Sequence, residues 1–261
     1  MITTYFCKKG GVGKTTVLGE HAEYLATQGK KVLIISIDDQ NSIFEMFGKS
    51  RAVFDREDNF IEHVLAQTIK VEDAFIELRT NLYGIKTLNT DMISKKLTLE
   101  RPFEKLFVQL LESLNGQFDY VFIDLPPSSN RASEVIFEIC TNIVLIVELN
   151  KLGVNGFYNT LQYFTDCGID LAKVKYVLPN GFSKIKSVPQ VALEEIETII
   201  NEHLPKVTML PSVPDKSSIQ TLQQKGIVVF DEDVQTLNSY QKNQKKLLIE
   251  VFSSLFNQIK L

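Results

Sequence analysis

The chain contains few residues of the types that build disulfide frameworks or metal centres. Its 261 residues include three cysteines and three histidines, which lie far apart in the sequence. No two cysteines have the Cys-x-x-Cys spacing that is typical of thiolate metal sites. We therefore expect the cysteines to be small buried residues, and we expect no disulfide framework and no metal site built from cysteine or histidine.

Long hydrophobic runs and a strong charge of one sign are missing as well. The apolar runs 143–147 and 32–35 are far shorter than the roughly 20 residues that cross a bilayer, so no stable membrane insertion is expected. The first residues show no basic region followed by a long apolar stretch, which predicts a cytoplasmic protein without a secretory signal. With 28 Lys+Arg against 32 Asp+Glu the net charge is −4, so any binding of nucleic acid needs a local basic patch.

Apolar, β-branched runs alternate with helical periods along most of the chain. This alternation predicts an α/β fold: a single doubly wound domain over 1–261, with a mostly parallel twisted sheet and helices on both faces. Residues 49–117 are expected to form a less regular excursion within it, with a strand near 82–88. The predicted strands are 2–7, 32–37, 120–123, 143–147, 174–178 and 207–210. The predicted helices are one that Gly29 closes, followed by 103–114, 131–140, 154–165, 190–203 and 235–259.

A glycine-rich segment with lysines lies between the first predicted strand and the first predicted helix. It reads Lys-Lys-Gly-Gly-Val-Gly-Lys-Thr-Thr over residues 8–16. Its glycines allow backbone N–H groups to surround a phosphate chain at a helix N-terminus. Within it, Lys14 would reach the β- and γ-phosphates and the Thr15 hydroxyl would hold Mg²⁺. The residues predicted to bind ATP here are Lys9, Gly10, Gly11, Val12, Gly13, Lys14, Thr15 and Thr16.

Two acidic residues follow predicted strands. Asp38 comes after the second strand, and Asp124 comes after the strand 120–123. The carboxyl ends of parallel strands lie at one edge of the sheet, so both side chains can project over bound phosphates. An acid at such a position is often only a loop residue. The functional interpretation of both acids therefore depends on the phosphate loop beside them.

The segment 8–16 resembles the phosphate loop of the deviant Walker A ATPases. This ParA/MinD family of P-loop ATPases contains the plasmid and chromosome partition ATPases ParA and Soj and the division-site regulator MinD. Residue 8 is lysine where the usual G-x-x-x-x-G-K-[ST] pattern has glycine, and Lys9 matches the family's additional lysine. In that family this lysine reaches the ATP of the partner subunit, so the resemblance implies a homodimer that forms with ATP.

The resemblance also assigns roles to the two acids. Asp124, followed by Leu-Pro-Pro-Ser-Ser, is similar to the family's Walker B and switch II segment, in which the acid holds Mg²⁺ through water. The segment 36–40 is similar to a D-x-D-P-Q motif whose second Asp orients the attacking water, and Asp38 takes that place. Ser36 and Asp39 depart from the motif. The implied catalytic residues are Lys9, Lys14 and Asp38, and the implied metal-binding residues are Thr15, Asp124 and, through water, Asp38.

Two residues of the last third of the chain resemble the family's base-binding positions. Asn180 follows the strand 174–178, where the family has an asparagine that binds adenine. The dipeptide Asn180-Gly181 is also a strong turn signal, so a simple turn remains the alternative. Pro211 matches the proline of the family's I-P pair and is the second residue expected near the base.

What the resemblance implies as a function is slow ATP hydrolysis by a switch that partitions plasmid or chromosomal DNA. The implied partners are DNA and a centromere-binding, ParB-like protein that stimulates hydrolysis. The DNA would be bound without sequence preference, which implies a nucleoid-associated location. Any single lysine is more often only a solvated surface charge than a contact to DNA. The lysines that are candidates for DNA contact are Lys184, Lys186, Lys206, Lys216, Lys225, Lys242, Lys245 and Lys246.

The last predicted helix leaves an alternative function open. Its apolar face either packs on the sheet or, as in MinD, binds a membrane surface, and its length and modest basic content favour packing. The alternative is therefore a MinD-like, membrane-cycling positioning ATPase, and a small-molecule ligase on the same fold is a further one. The face consists of Leu248, Val251, Phe252, Leu255, Phe256 and Ile259.

Overall fold

A mostly parallel sheet forms the centre of the fold, with helices on both of its faces. The computed structural model describes residues 1–51, 59–183, 187–214, 217–232 and 235–261. The strands are β1 (Ile2–Phe6), β2 (Val32–Ser36), β3 (Ile76–Arg79), β4 (Leu82–Ile85), β5 (Tyr120–Asp124), β6 (Asn142–Glu148), β7 (Val174–Phe182), β8 (Thr208–Met209) and β9 (Val213–Pro214). The helices are α1 (Lys14–Thr27), α2 (Ser42–Met46), α3 (Ile61–Leu65), α4 (Thr90–Leu99), α5 (Arg101–Gln117), α6 (Arg131–Ile139), α7 (Lys151–Asp166), α8 (Ser187–His203), α9 (Ser217–Gln223) and α10 (Ser239–Phe256).

The strand order puts β1 in the middle of the sheet. The order is β3-β4-β2-β5-β1-β6-β7-β8, and β9 also pairs with β7. Every pair is parallel except the antiparallel pair of β3 and β4. Parallel strands that are covered on both faces need apolar side chains on both faces, as the runs in β2 and β6 provide. The predicted fold class, a single doubly wound α/β domain, is confirmed.

Side chains of β2 show how the sheet divides the core. Successive side chains of a strand point to opposite faces. Leu33 and Ile35 pack with apolar residues of α4 to α8, whereas Val32 and Ile34 pack with those of α1, α2 and α10. The phosphate loop connects β1 to α1, and its Val12 packs in the same layer as α1.

The described part of 49–117 completes one edge of the sheet. The strand predicted near 82–88 is β4, which pairs in parallel with β2. The sequence did not predict β3, which pairs with β4 at the edge. Its four residues alternate between buried and more exposed positions and include Glu77 and Arg79. So short an edge strand with charged side chains has little of the apolar signal that marks the central strands.

Asparagine side chains cap the N-termini of α6 and α7. Helix α6 begins at the predicted residue, 131, whereas α7 begins three residues earlier than the apolar pattern predicts. Asn130 and Asn150 each accept a hydrogen bond from the backbone N–H three residues further on, at 2.9 and 2.8 Å. Such caps satisfy N–H groups that lack a partner within the helix. In α8 the helix already begins at Ser187, and Pro189 fits within the first turn because no N–H is needed there.

The apolar face of α10 packs on the sheet. Leu248, Phe252 and Phe256 are at most 2% exposed and belong to the core layer that also contains α1. Packing, which the sequence favoured over membrane binding, is confirmed for this face. In the described ranges, none of the helices has the length and apolar character needed to cross a membrane.

Candidate nucleotide-binding site

The phosphate loop connects β1 to the first residue of α1. Gly13 caps the helix with a φ of +93°, and Gly11 has a φ of +74°. A side chain makes such backbone conformations costly. At Gly13 a Cβ would also lie 2.6 Å from Asn180 Nδ2, which is too close for any real contact. The loop therefore requires glycine at position 13 for its backbone conformation and for its packing.

A hydroxyl and a carboxylate meet at the start of α1. Thr15 Oγ1 donates to the Asp124 carboxylate, at 2.9 Å to Oδ2 and 3.1 Å to Oδ1. Asp124 is the last residue of β5 and is fully buried, and burial raises its pKa to about 7 although the hydrogen bond from Thr15 opposes the shift. The buried Lys14 donates through Nζ to the Lys9 carbonyl oxygen at 3.1 Å. Burial lowers the pKa of Lys14, and the charges of Asp124 and Asp38 oppose this.

These groups fit a magnesium–phosphate complex. Hydroxyl and carboxylate oxygens, such as those of Thr15 and Asp124, are the ligands that Mg²⁺ prefers. Burial raises the pKa of Asp124, and a divalent cation bound at this carboxylate would oppose that shift. Lys14 is a buried cation at a helix N-terminus, where a phosphate anion would be stabilised.

Asp38 interacts electrostatically with this cluster. Asp38 is half-buried at the carboxyl end of β2, and its charge acts on the pKa values of both Lys14 and Asp124. Its Oδ1 accepts from the backbone N–H of Gln40 at 3.1 Å. Asp39 is exposed, and its carboxylate accepts from the Gln40 side chain. Its partial burial and its charge interaction with Lys14 and Asp124 favour Asp38 over Asp39 for the predicted role beside the phosphates.

Two threonines that the sequence did not single out hold the loop that carries Asp38. Thr87 Oγ1 donates to the Ser36 carbonyl at 2.6 Å, and the Thr87 backbone exchanges two hydrogen bonds with the Asn41 side chain. Thr90 Oγ1 donates to the Ile37 carbonyl and accepts from the Asp39 N–H. These partners lie 46 to 53 residues apart in the sequence, so no local pattern could have identified the two threonines.

Asn180 lies behind the phosphate loop and within a strand. Its residue pairs in parallel with Glu148 of β6 and with Val213 of β9, so the Asn-Gly dipeptide does not form a hairpin turn. Asn180 Nδ2 donates to the Val12 carbonyl at 2.8 Å and so supports the loop directly. Gly181 has a φ of +85°, a backbone conformation that favours glycine. This conformation accounts for the glycine at position 181, and no turn between antiparallel strands is needed to explain it.

A cavity of about 260 Å³ opens beside the loop. Its lining includes Gly11, Gly13, Asn180, Val213, Pro214, Ile219, Gln220 and Gln223. Pro211, the second residue expected near the base, is exposed and is not part of this lining, so its role stays a prediction. The pairing of β9 with β7 aligns Val213 with Asn180 and brings Pro214 to the cavity.

Two further residues of the site were missed from the sequence. Gln223 Nε2 donates to the Thr16 hydroxyl at 3.1 Å, and nothing local in α9 marks it. Glu148 forms an ion pair with Lys9. Glu148 is the last residue of the apolar strand β6, just as Asp124 is the last residue of β5, and Asp38 comes two residues after the end of β2. The same signal that identified those two acids was therefore present for Glu148.

The lysines expected to contact DNA fall into different environments. Lys245 lies on the inner face of α10, where it is buried and donates to the Asp231 carbonyl at 2.6 Å. It is therefore unsuited to contact DNA. Lys225 donates to the Thr236 carbonyl and to the Gln241 side chain. Lys206, Lys242 and Lys246 are exposed. Lys184, Lys186 and Lys216 lie outside the described residues.

The cysteines and histidines are not gathered into a site in the described part of the chain. Cys7 and Cys140 are buried, as expected, whereas Cys167 is exposed, because it follows the last residue of α7. His21 is buried, and its Nδ1 lies 2.8 Å from the Tyr5 hydroxyl in the core. No group of three or more His, Cys, Asp and Glu side chains that could hold a metal ion occurs among the described residues. A metal at Thr15 and Asp124 would need phosphates and water as its other ligands.

Known proteins resemble this chain in sequence and in fold. The sporulation initiation inhibitor protein Soj of Bacillus subtilis is 28% identical over 163 residues, which are 59% of this chain and 61% of that protein. The chromosome-partitioning ATPase Soj of Treponema pallidum is 29% identical over 126 residues, 46% of each chain. A solved structure of a putative plasmid partition protein from Borrelia burgdorferi, bound to AMPPNP, has the same fold. Its TM-score is 0.70 at 20% identity, with 97% of this chain and 98% of that one covered.

The family model described as an AAA domain matches residues 1–172, about two thirds of the chain. This match includes β1, the phosphate loop, Asp38 and Asp124. Neighbours in the same fold bind ATP analogues, ADP and magnesium. The chain therefore belongs to this AAA-domain family and is a P-loop ATPase of the ParA/MinD type.

Proposed function

We propose that this chain is a partition ATPase that binds ATP with Mg²⁺, forms a homodimer, and binds DNA without sequence preference. Slow hydrolysis, which a centromere-binding, ParB-like partner stimulates, would end each cycle. The observation that carries the proposal is the contact of Thr15 with the buried Asp124 beside Lys14. This cluster combines a cation, a hydroxyl and a carboxylate at a helix N-terminus, as ATP hydrolysis by a P-loop requires.

The residues would act mainly by position and charge, because phosphoryl transfer asks little covalent chemistry of the protein. Backbone N–H groups of the loop and the Lys14 ammonium would bind the phosphate oxygens. Thr15 and Asp124 would hold Mg²⁺, which when bound counters the charge that develops on the phosphoryl group. Asp38 would accept a hydrogen bond from the attacking water and orient it. Lys9 would bind an ATP phosphate of the partner subunit.

Adenine selection would follow from the fixed orientation of Asn180. Its Nδ2 already donates to the Val12 carbonyl, so its Oδ1 is the atom that remains to face a base. An amide oxygen accepts a hydrogen bond from the amino group of adenine but repels the carbonyl oxygen that guanine carries at that position. We therefore infer a preference of this site for ATP over GTP.

Three alanine variants test the catalytic assignments. Lys14→Ala should abolish ATP binding, whereas Lys9→Ala and Asp38→Ala should bind ATP but lose hydrolysis. Binding is measured by calorimetry and hydrolysis by phosphate release. Lys105→Ala, an exposed lysine on α5, is the matched control and should behave as the wild type. Normal turnover in both Lys9→Ala and Asp38→Ala would refute the roles proposed for them.

A co-sedimentation comparison tests the DNA-binding part of the proposal. The protein is offered non-specific duplex DNA and, in parallel, anionic liposomes, with ATP, with ADP and without nucleotide. DNA binding that needs ATP and weakens with salt is the expected result. Liposome binding instead would favour the membrane-cycling ATPase. Binding to neither would refute partition through DNA and would favour a soluble substrate, as in a small-molecule ligase.

A further inference from the structure

The side chain of Lys9 is held by an acid of its own chain. Lys9 Nζ donates a hydrogen bond to the Glu148 carboxylate and forms an ion pair with it. The two side chains are 25% and 34% exposed, so the pair lies at the edge of the site and not in the core. In this structure Lys9 is therefore directed to Glu148 and not towards solvent.

Two glycines of α7 make room for this pair. A Cβ at Gly156 would lie 3.0 Å from Lys9 Cβ, and a Cβ at Gly153 would lie 1.9 Å from the Glu148 carbonyl oxygen. One turn after Gly156, the Thr160 hydroxyl accepts from the loop backbone at 2.9 Å. The same face of α7 thus contacts both partners of the ion pair, and the close approach needs residues without side chains.

The pair borders the cavity beside the phosphate loop. Glu148 is aligned with Asn180 on the neighbouring strand, and both line the cavity together with Gly11 and Gly13. An unpaired carboxylate at this place would repel a nucleotide, because both are negatively charged. Lys9 neutralises Glu148 as long as the pair is intact. A phosphate that recruits Lys9 must compete with Glu148 for it.

We propose that Glu148 is a positioning residue for Lys9: it retains the lysine in the single chain, and Lys9 must leave it before binding the ATP of a partner subunit. This proposal rests on the ATP-dependent homodimer proposed above. Partly exposed ion pairs of this kind favour the paired state by roughly 1.4- to 5-fold each. Two such pairs break per dimer, so removing the charge of Glu148 should tighten dimerisation by roughly 2- to 30-fold.

Sedimentation velocity with AMPPNP and Mg²⁺ measures this effect as the dimer dissociation constant. Glu148→Gln keeps the size of the side chain and removes its charge, whereas Glu148→Asp keeps the charge with a shorter reach. We expect the tightest dimer with Glu148→Gln and an intermediate value with Glu148→Asp. The difference between Glu148→Gln and wild type should shrink at high salt, because salt screens exposed charges. Glu112→Gln, the same charge change on the exposed surface of α5, should match the wild type.

Amine labelling reports on Lys9 in the nucleotide-free chain, where no dimer is required. We expect acetylation of Lys9, followed by peptide mass spectrometry and normalised to Lys105, to be several-fold faster in Glu148→Gln than in the wild type. Equal labelling rates would overturn the proposal, as would an unchanged or weaker dimer of a folded Glu148→Gln variant. A wild type that stays monomeric with AMPPNP and Mg²⁺ would instead refute the proposed homodimer itself.

Discussion

Glu20 offers a direct measure of how burial changes the behaviour of an acid in this fold. It lies in α1, is 1% exposed, and accepts through Oε2 from the Val229 backbone N–H at 2.9 Å. Burial raises its pKa from 4.5 to about 8, and the charges of Asp231 and Glu23 act in the same direction. The folded chain therefore binds this proton more tightly than the unfolded chain does.

The sign of the pH effect follows from this difference. The contribution of Glu20 to stability is fully present below the pKa of the unfolded chain and is lost as the pH rises towards the folded pKa of about 8. A shift of this size corresponds to an upper limit of about 5 kcal/mol, at about 1.4 kcal/mol per pKa unit. Relaxation of the buried site and entry of water reduce that figure, so a loss of several kcal/mol is expected.

The substitution Glu20→Gln isolates this contribution. Glutamine keeps an oxygen that accepts from Val229 and removes the titration. Urea unfolding between about pH 5 and about pH 8.5 should show the wild type losing several kcal/mol relative to the variant. Glu112→Gln removes an exposed acid and should follow the wild type at every pH. Parallel curves for the wild type and Glu20→Gln would refute the reasoning from burial.

Two further predictions concern the phosphate loop and the surface of α10. Gly13→Ala should weaken ATP binding at least about tenfold in calorimetry, because its Cβ would meet Asn180 at 2.6 Å and its φ is +93°. Gly29→Ala, with a φ of +78° and open space around it, should bind ATP normally, and equal binding by both variants would contradict the packing argument. Lys242→Glu with Lys246→Glu should lower the salt slope of DNA binding by roughly 2 and leave ATP hydrolysis unchanged, and an unchanged slope would exclude both lysines.

Local sequence patterns were sufficient for the parts of the site that are continuous in the chain. The segment 8–16 contains its own glycines, lysine and threonines, and the strands before Asp38 and Asp124 are apolar runs that any buried parallel sheet requires. Burial of these strands and the start of α1 follow from residues that are neighbours in sequence. For that reason the sequence alone predicts the phosphate loop and both acids.

Contacts between distant segments could not be predicted in the same way. Whether Asn180-Gly181 forms a turn depends on the pairing of β7 with β6 and β9, and the sequence left that alternative open. Likewise, Thr87 and Thr90 are ordinary residues of a strand end and a helix start, and they matter because they hold the loop of Asp38. Such roles arise from the fold, since hydroxyl groups bond to any backbone that is brought near them.

The strand order divides the site into two halves that respond to different substitutions. Because β1 lies between β5 and β6, one acid flanks each end of the loop: Asp124 contacts Thr15 and Glu148 contacts Lys9. Asp124→Asn removes a charge from the proposed metal side, so it should weaken the Mg²⁺-dependent part of ATP binding and leave Lys9 labelling unchanged. Glu148→Gln should change dimerisation and Lys9 labelling with little effect on the Mg²⁺ dependence. If both variants changed the same quantity, Lys9 and the metal side would act as one unit, and the division would be wrong.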